Sequence, residues 1–471
     1  MRRINVIDSA FLYLESRQTP MHVGGMSLFE FPEGAEPQEF MAGLDELYRS
    51  FEELKEPFGE HVATGMLGPL GPKYWKQDDN LDLGYHVRHS ALPKPGRYRE
   101  LFGLISRLHS TLLDRNRPLW EVNLIEGLQD RRFAVYAKYH HAAVDGIAAL
   151  RMTESILSAD PETRVDYSPL SREAHENFKQ RRAGRRKRKA EVPLDDSAFK
   201  QVSDVLSEAF GLTGKSLEIA KAYAGTWLGM GGNLSVPWYR VPRSALNRQV
   251  GGARRFVAQT WKAERLETIR QAVGCTSNEV VLAMCSGALR RYLLNHGELP
   301  ERSLRAMVPV SVRTSEDFDS SNAVSTITAN LGTRHADPEQ RMETIMNSTR
   351  AGKALLEGLS SVQASLYAGV VHSPMLLAGL LGVGDRFPAF STIISNVPGP
   401  REKRYWNGAP LLGTYPASAV FHGFALNITL ISYADQLDFG IIACRRSVPQ
   451  VQRMIDYMEE ALVELEAMVD A

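Results

Sequence analysis

The sequence predicts a mixed α/β protein built from two units of similar size. Three observations carry this. Strand-like and helix-like segments succeed each other from the N-terminus to about residue 160. A second such succession begins near residue 253. Between them the composition breaks into a basic, polar run, "RRAGRRKRKAEVPLDD", that is nearly free of apolar residues. The expected division is 1–180, a connector at 181–250, and 251–471.

In order along the chain, "RRFAVYAKY" places Phe133, Val135, Ala137 and Tyr139 on one face, the period-2 pattern of a strand. "GIAALRMTESIL" follows as a helix. After the basic run, "LEIAKAYAGTWLGMGG" reads as a helix that ends in a Gly-rich turn. "RRFVAQTW" and "LRAMVPVSVR" read as strands. "TSNEVVLAMCSGALRRYLLNHG" reads as a helix, with Thr276 and Glu279 spaced as a capping box and Gly297 placed to stop it. "FSTIISNV", "ALNITLISY" and "LDFGIIAC" are three further strands, the last two joined by a short polar turn.

The bulk numbers exclude several classes. Formal net charge is +0, so no global field points to nucleic acid. Three scattered cysteines, Cys275, Cys285 and Cys444, are too few for a disulfide framework or a cysteine-based zinc site, and fit a reducing compartment. Asp8 and Glu15 interrupt the apolar N-terminal run, which reads as mature protein rather than a signal peptide. The most apolar stretch, 366–384, is broken by His372, Ser373 and Pro374, so no transmembrane helix is expected.

The stretch "KYHHAAVDG", residues 138–146, stands out, and three readings fit it. Asp145 could cap a helix that starts at Gly146, with His140 and His141 at a strand end. His141 and Asp145 could share a helical face toward a metal, but no third ligand stands at a familiar spacing. Or a histidine leaving the strand could act as general base on an alcohol, with Asp145 shaping the loop and Gly146 allowing close approach. The chain has no G-x-S-x-G elbow, which favours direct transfer between two bound substrates over a covalent serine route.

"HHAAVDG" matches the HHxxxDG signature of the acyl-CoA-dependent acyltransferase superfamily. Four further segments resemble the bacterial wax ester synthase/acyl-CoA:diacylglycerol acyltransferase family: "IDSAFLYLESRQTPMHVGG" (7–25), "RPLWEVNLIEGL" (117–128), "TSNEVVLAMCSGALRRYL" (276–293) and "ISNVPGP" (394–400). They occur in the family's order and span most of the chain. The resemblance implies two chloramphenicol-acetyltransferase-like domains, each a mixed sheet with flanking helices, and an active-site tunnel between them. It implies O-acyl transfer from fatty acyl-CoA, as co-substrate and with no other cofactor, to a long-chain alcohol or diacylglycerol. By the family pattern His141 is the general base, His140 and Asp145 hold the loop, and Gly146 leaves room for close approach. Arg313 is a partner for Asp145. Where relatives commonly carry Asn-Asp, this chain has Asn278-Glu279. Asn278 is a substrate-binding or helix-start residue, and Glu279 reads as a cap. Pro118 and Trp120 read as a strand entry with a buried aromatic. Asn396, Pro398 and Gly399 fall in a rigid turn at the domain seam. Asp438 and Gly440 of "DFG" read as structural.

The resemblance also implies a cytoplasmic protein, peripheral on the inner membrane or lipid inclusions. The basic run 181–189 would supply the attraction to anionic headgroups or CoA phosphates, or be a solvated linker. The stretch 366–384 would dip into that surface, line the tunnel, or pack in the core. Two other functions stand as alternatives: a carrier-protein-dependent condensation enzyme, and a catalytically silent lipid-binding or droplet-scaffolding protein.

Overall fold

The structure is a computed structural model. It describes residues 1–51, 53–65, 68, 71–183, 214–311, 324–357, 378 and 384–470. The first half carries β1 (Arg2–Arg3), β2 (His22–Glu30), β3 (Glu60–Thr64), β4 (Lys73–Gln77), β5 (Val87–Ala91), β6 (Trp120–Glu126) and β7 (Arg132–His140). The second carries β8 (Arg254–Lys262), β9 (Arg305–Ser311), β10 (Val324–Asn330), β11 (Thr392–Pro398), β12 (Tyr405–Trp406), β13 (Ala409–Ala417), β14 (Leu426–Tyr433) and β15 (Gln436–Cys444).

Among the described residues these strands form two six-stranded mixed sheets and one small sheet. The first large sheet runs β12-β13-β2-β7-β6-β5, the second β10-β9-β11-β14-β15-β8, and the small one β1-β4-β3. β5 pairs parallel with β6, and β11 pairs parallel with both β9 and β14, while the other pairs in the two large sheets are antiparallel.

The expected elements form where period and caps are local. The helix Gly146–Ser155 follows β7 directly. In Ser277–Asn295 the capping box is complete: Thr276 N–H donates to Glu279 Oε2 at 2.7 Å, and Glu279 N–H to Thr276 Oγ1 at 3.4 Å. Gly297 follows with φ +68°, a left-handed conformation that suits glycine. This helix is buried along most of its length in the core of the second unit. The helix Gly214–Trp227 ends in the Gly-rich turn. The basic run 181–189 begins in the last turn of the helix Arg172–Ala183, and its residues 184–189 lie outside the described residues. Arg313 and nearly all of 366–384 also lie outside them.

One connection departs from the contiguous division read from the sequence. Residues 405–417, inside the expected 251–471 unit, cross over and extend the first sheet: β13 pairs with β2, Ala417 opposite Gly24. Of "NVPGP", Asn396–Pro398 are the last residues of β11, paired with Leu430–Ser432, rather than a turn; the chain leaves the second sheet for this crossing only at Gly399. Gly399 is needed there, because a Cβ would sit 2.5 Å from the Ser432 carbonyl oxygen. A joint apolar cluster fills the seam, with Met26, Leu28 and Tyr136 from the first sheet's strands against Phe256, Ala258 and Ile442 from the second.

Candidate active site

The His-His motif leaves the end of β7 between β2 and the chain that enters β6. His140 N–H donates to the Leu119 carbonyl at 3.0 Å, and His141 N–H to the Met21 carbonyl at 2.8 Å. The two side chains diverge. His140 is buried, and its Nδ1 accepts the Ala142 N–H at 3.0 Å. The ring's other nitrogen therefore carries the proton when the ring is neutral. That nitrogen, Nε2, faces Glu15 Oε1 at 3.4 Å. Glu15 accepts the Met21 N–H at 3.1 Å and is paired with Arg115 at 3.1 Å. Burial alone would raise the Glu15 pKa, but His140, the Met21 N–H and Arg115 together hold it below its ordinary value.

His141 is half-buried, and its ring lies flat on Phe11, centroids 4.1 Å apart. Burial holds its pKa below the ordinary 6.5. A neutral imidazole at neutral pH can accept a proton. Asp145 caps the helix Gly146–Ser155 by accepting the Ala148 N–H at 2.7 Å. Asp8 is held near the loop by Asn5 Nδ2 at 2.6 Å, and burial, with the nearby Asp145 charge, pushes its pKa up to about 6. A cavity of about 490 Å³ opens beside the motif, bordered by Asp8, Trp75, Ala142, Ala143, Arg172 and His175.

Behind the loop runs a buried polar network. His22 Nε2 donates to the His109 carbonyl at 2.9 Å. His109 Nε2 donates to the Ser418 carbonyl at 3.2 Å, and the Tyr136 hydroxyl donates to His109 Nδ1 at 2.7 Å. Lys138 donates to the Leu108 and Thr111 carbonyls and faces Glu121 at 3.5 Å. Burial lowers the pKa of His22, and brings that of His109 to about 3.

The remaining expected residues sit apart from one another. Pro118 and Trp120 are buried at the entry to β6, where Trp120 Nε1 donates to the Phe58 carbonyl at 2.8 Å and the ring stacks on His86. Asn278 is half-buried in the first turn of its helix. Glu279 is buried, and besides the cap it accepts the Thr349 hydroxyl at 2.6 Å. Asn396, Pro398 and Gly399 lie toward the far end of β11 from Thr392. Asn396 Oδ1 is buried without a hydrogen-bond partner among the described residues. No group of three or more His, Cys, Asp or Glu among the described residues could hold a metal. All three cysteines are buried and unbridged.

Sequence reasoning missed Glu15, Arg115 and Phe11 as parts of the site. Their distance in sequence from the motif hides the contact, although 7–25 was a resembling segment. The paired histidines, one turned into a carboxylate and one laid open on an aromatic ring, define a histidine-based acyltransferase loop on a two-sheet scaffold. The chain belongs to the wax ester synthase/diacylglycerol acyltransferase family: its catalytic-domain pattern matches residues 4–281 and its C-terminal-domain pattern matches residues 320–466. A Mycobacterium bovis relative named "Putative diacylglycerol O-acyltransferase" is 44% identical over 471 residues, 98% of each chain. The O-acyltransferase WSD of Acinetobacter baylyi is 41% identical, over 100% of this chain and 98% of its own. The structure of a wax ester synthase/diacylglycerol acyltransferase from Marinobacter aquaeolei superposes with a TM-score of 0.77 at 37% identity, covering 100% of both chains.

Proposed function

We propose that the chain is an O-acyltransferase that moves a fatty acyl group from acyl-CoA to a long-chain alcohol or to the free hydroxyl of diacylglycerol. The observation that carries this is His141, stacked on Phe11 on a loop whose other histidine faces Glu15. His141 takes the hydroxyl proton as the alcohol oxygen attacks the thioester carbonyl. The C–O bond forms, and the carbonyl π electrons move onto oxygen. As the intermediate collapses the C–S bond breaks, and His141 returns the proton to the leaving thiolate. His140, Asp145 and Gly146 hold the loop in place. No cofactor is required by this sequence of steps.

The test is purified protein with palmitoyl-CoA and hexadecanol, or 1,2-dipalmitoylglycerol, with free thiol followed over time. Ester formation with thiol release is expected, and neither appearing would sink the proposal. His141→Ala should lower kcat by roughly 10²–10⁴-fold, the usual contribution of general-base catalysis, with thermal unfolding unchanged. A condensation enzyme would need a carrier-bound thioester, and a scaffold would release no thiol, so the same assay separates them.

No single helix among the described residues is long and apolar enough to cross a membrane. For this family's water-insoluble products we infer peripheral association, with the basic residues of 181–189 drawing the protein to anionic lipid at about 1 kcal/mol each. Unchanged flotation with phosphatidylglycerol vesicles after neutralising that run would refute it.

A further inference from the structure

A second cavity of about 490 Å³ lies in the second unit, away from the His-His loop. Its rim is the Gly-rich turn after the helix Gly214–Trp227, and Arg240, Arg305, Arg334, His335 and the carboxylate of Glu343 line it. The turn is built to be tight: a Cβ on Gly231 would collide with Thr226, and Gly229 and Gly232 have φ of +82° and +55°. Three arginines thus face one cavity against one carboxylate. Among the described residues none of the three forms an ion pair with an acidic side chain.

Arg305 is the central group. It opens β9, and its Nη1 donates to the Ser235 hydroxyl, while its Nε is buried with no hydrogen-bond partner among the described residues. Burial and then the nearby Arg240 charge bring its pKa down to about 10. Arg240 lies over the Tyr239 ring, and Arg334 Nε donates to His335 Nε2, so the two outer arginines are held near the opening while remaining exposed. A part-buried cation repelled by its neighbours is stabilised by an anion that brings several acceptor oxygens.

Register places the cavity on a definite edge. Arg305 pairs with Asn330, Ala306 with Thr392, Leu426 with Ala443, and Cys444 with Arg254, so these residues share one end of the second sheet. At that end Arg254 donates to the Gln18 carbonyl at 2.7 Å and the Val420 carbonyl at 3.1 Å, which joins the sheet to the segment leading into Met21 and His141. β9 and β8 are four strand spacings apart, about 19 Å. The cavity therefore stands apart from the Arg254 contacts that lead toward the His-His loop.

We propose that the Arg240–Arg305–Arg334 cavity is a phosphate site, and that it holds the adenosine-phosphate end of the acyl-CoA donor. The second clause rests on the acyl-transfer reading above. The probe is 3′-phosphoadenosine 5′-phosphate, measured by calorimetry on the full chain, which needs no catalysis. Arg240 and Arg334 are exposed, so Arg240→Ala/Arg334→Ala should fold as wild type, whereas Arg305→Ala is a second variant with some risk to stability. Binding should weaken about ten-fold or more, the loss expected from even one of the two charge-assisted contacts removed. KM for palmitoyl-CoA should rise by a similar factor, with turnover of the phosphate-free palmitoyl N-acetylcysteamine thioester unchanged. Equal bisphosphate affinity in wild type and variant would overturn the proposal, as would lost flotation with phosphatidylglycerol vesicles at unchanged bisphosphate affinity, which would assign the arginines to lipid headgroups. Bisphosphate binding without any palmitoyl-CoA turnover would leave the site standing and remove the acyl-transfer reading instead.

Discussion

Two adjacent histidines do different work because the peptide between them turns one ring inward and the other outward. His140 spends both nitrogens on the scaffold, one on the Ala142 N–H and one facing Glu15. His141 gives its backbone N–H to the Met21 carbonyl and lays its ring on Phe11 rather than against a carboxylate. Glu15→Gln keeps the shape but removes the charge. Gln can still accept from Met21, but it no longer neutralises Arg115, whose side chain is 41% exposed and so stays partly solvated. The expected cost is about 1–3 kcal/mol of stability, with kcat lowered as the loop loosens, read by urea unfolding and thiol release. A Glu15→Gln enzyme with wild-type kcat would show that the pinning is irrelevant to turnover. The pH behaviour follows with its sign. The folded Glu15 pKa is below its ordinary 4.5, so this carboxylate's contribution is complete above pH 4.5 and is lost as pH falls through the lower folded value. For His141 the folded pKa is below 6.5, so the acidic limb of kcat/KM should fall below pH 6.5 and activity should be level just above it.

Among the elements, Ser277–Asn295 shows how a helix start can resemble a catalytic motif. Glu279 lies buried and accepts from the Thr276 backbone N–H, the Thr276 hydroxyl and the Thr349 hydroxyl. Burial raises its pKa, but these hydrogen bonds more than offset that and leave it below the ordinary value. Glu279→Ala removes half of the capping box and leaves the Thr349 hydroxyl with only the Met346 carbonyl, at about 1–2 kcal/mol, with little change in KM for palmitoyl-CoA. A stable variant that lost turnover would return Glu279 to the chemistry. This element was legible because everything that forms it lies within a few residues: Thr276, Glu279 and Gly297 announce it. β7 was legible for the same reason, through alternation. The Glu15–His140 contact was not, since 125 positions separate the partners and neither side chain carries a local signal. The crossing of β13 into the first sheet was equally hidden, because Ala409–Ala417, interrupted by Pro410, Gly413 and Pro416, carries no strand pattern and no mark of which sheet it joins.

For the whole molecule, the activity depends on two sheets keeping one relative position, and the seam shows how close they come. Asp438 of β15 accepts from Thr260 of β8 at 2.6 Å and from the Thr414 N–H of β13 at 2.9 Å, so one carboxylate ties the second sheet to a strand of the first. Burial, only partly offset by those hydrogen bonds, pushes its pKa up to about 6. Two positions further along β15, Gly440 faces the Pro416 carbonyl oxygen so closely that a Cβ has no room. Gly440→Ala must therefore push β13 away from β15, and β13 leads into Ser418, whose carbonyl holds His109 behind the motif. Overpacking of this kind costs about 1–3 kcal/mol, and here it also shifts the floor of the site. Gly25→Ala is the control: Gly25 sits on β2 opposite Pro416, yet a Cβ there meets nothing within 4 Å. Gly25→Ala should unfold at the wild-type urea midpoint and keep its thiol-release rate, while Gly440→Ala should lose both. Equal behaviour of the two alanines would mean that the sheets do not need to approach this closely, and that the "DFG" stretch contributes nothing to holding His141 against its substrates.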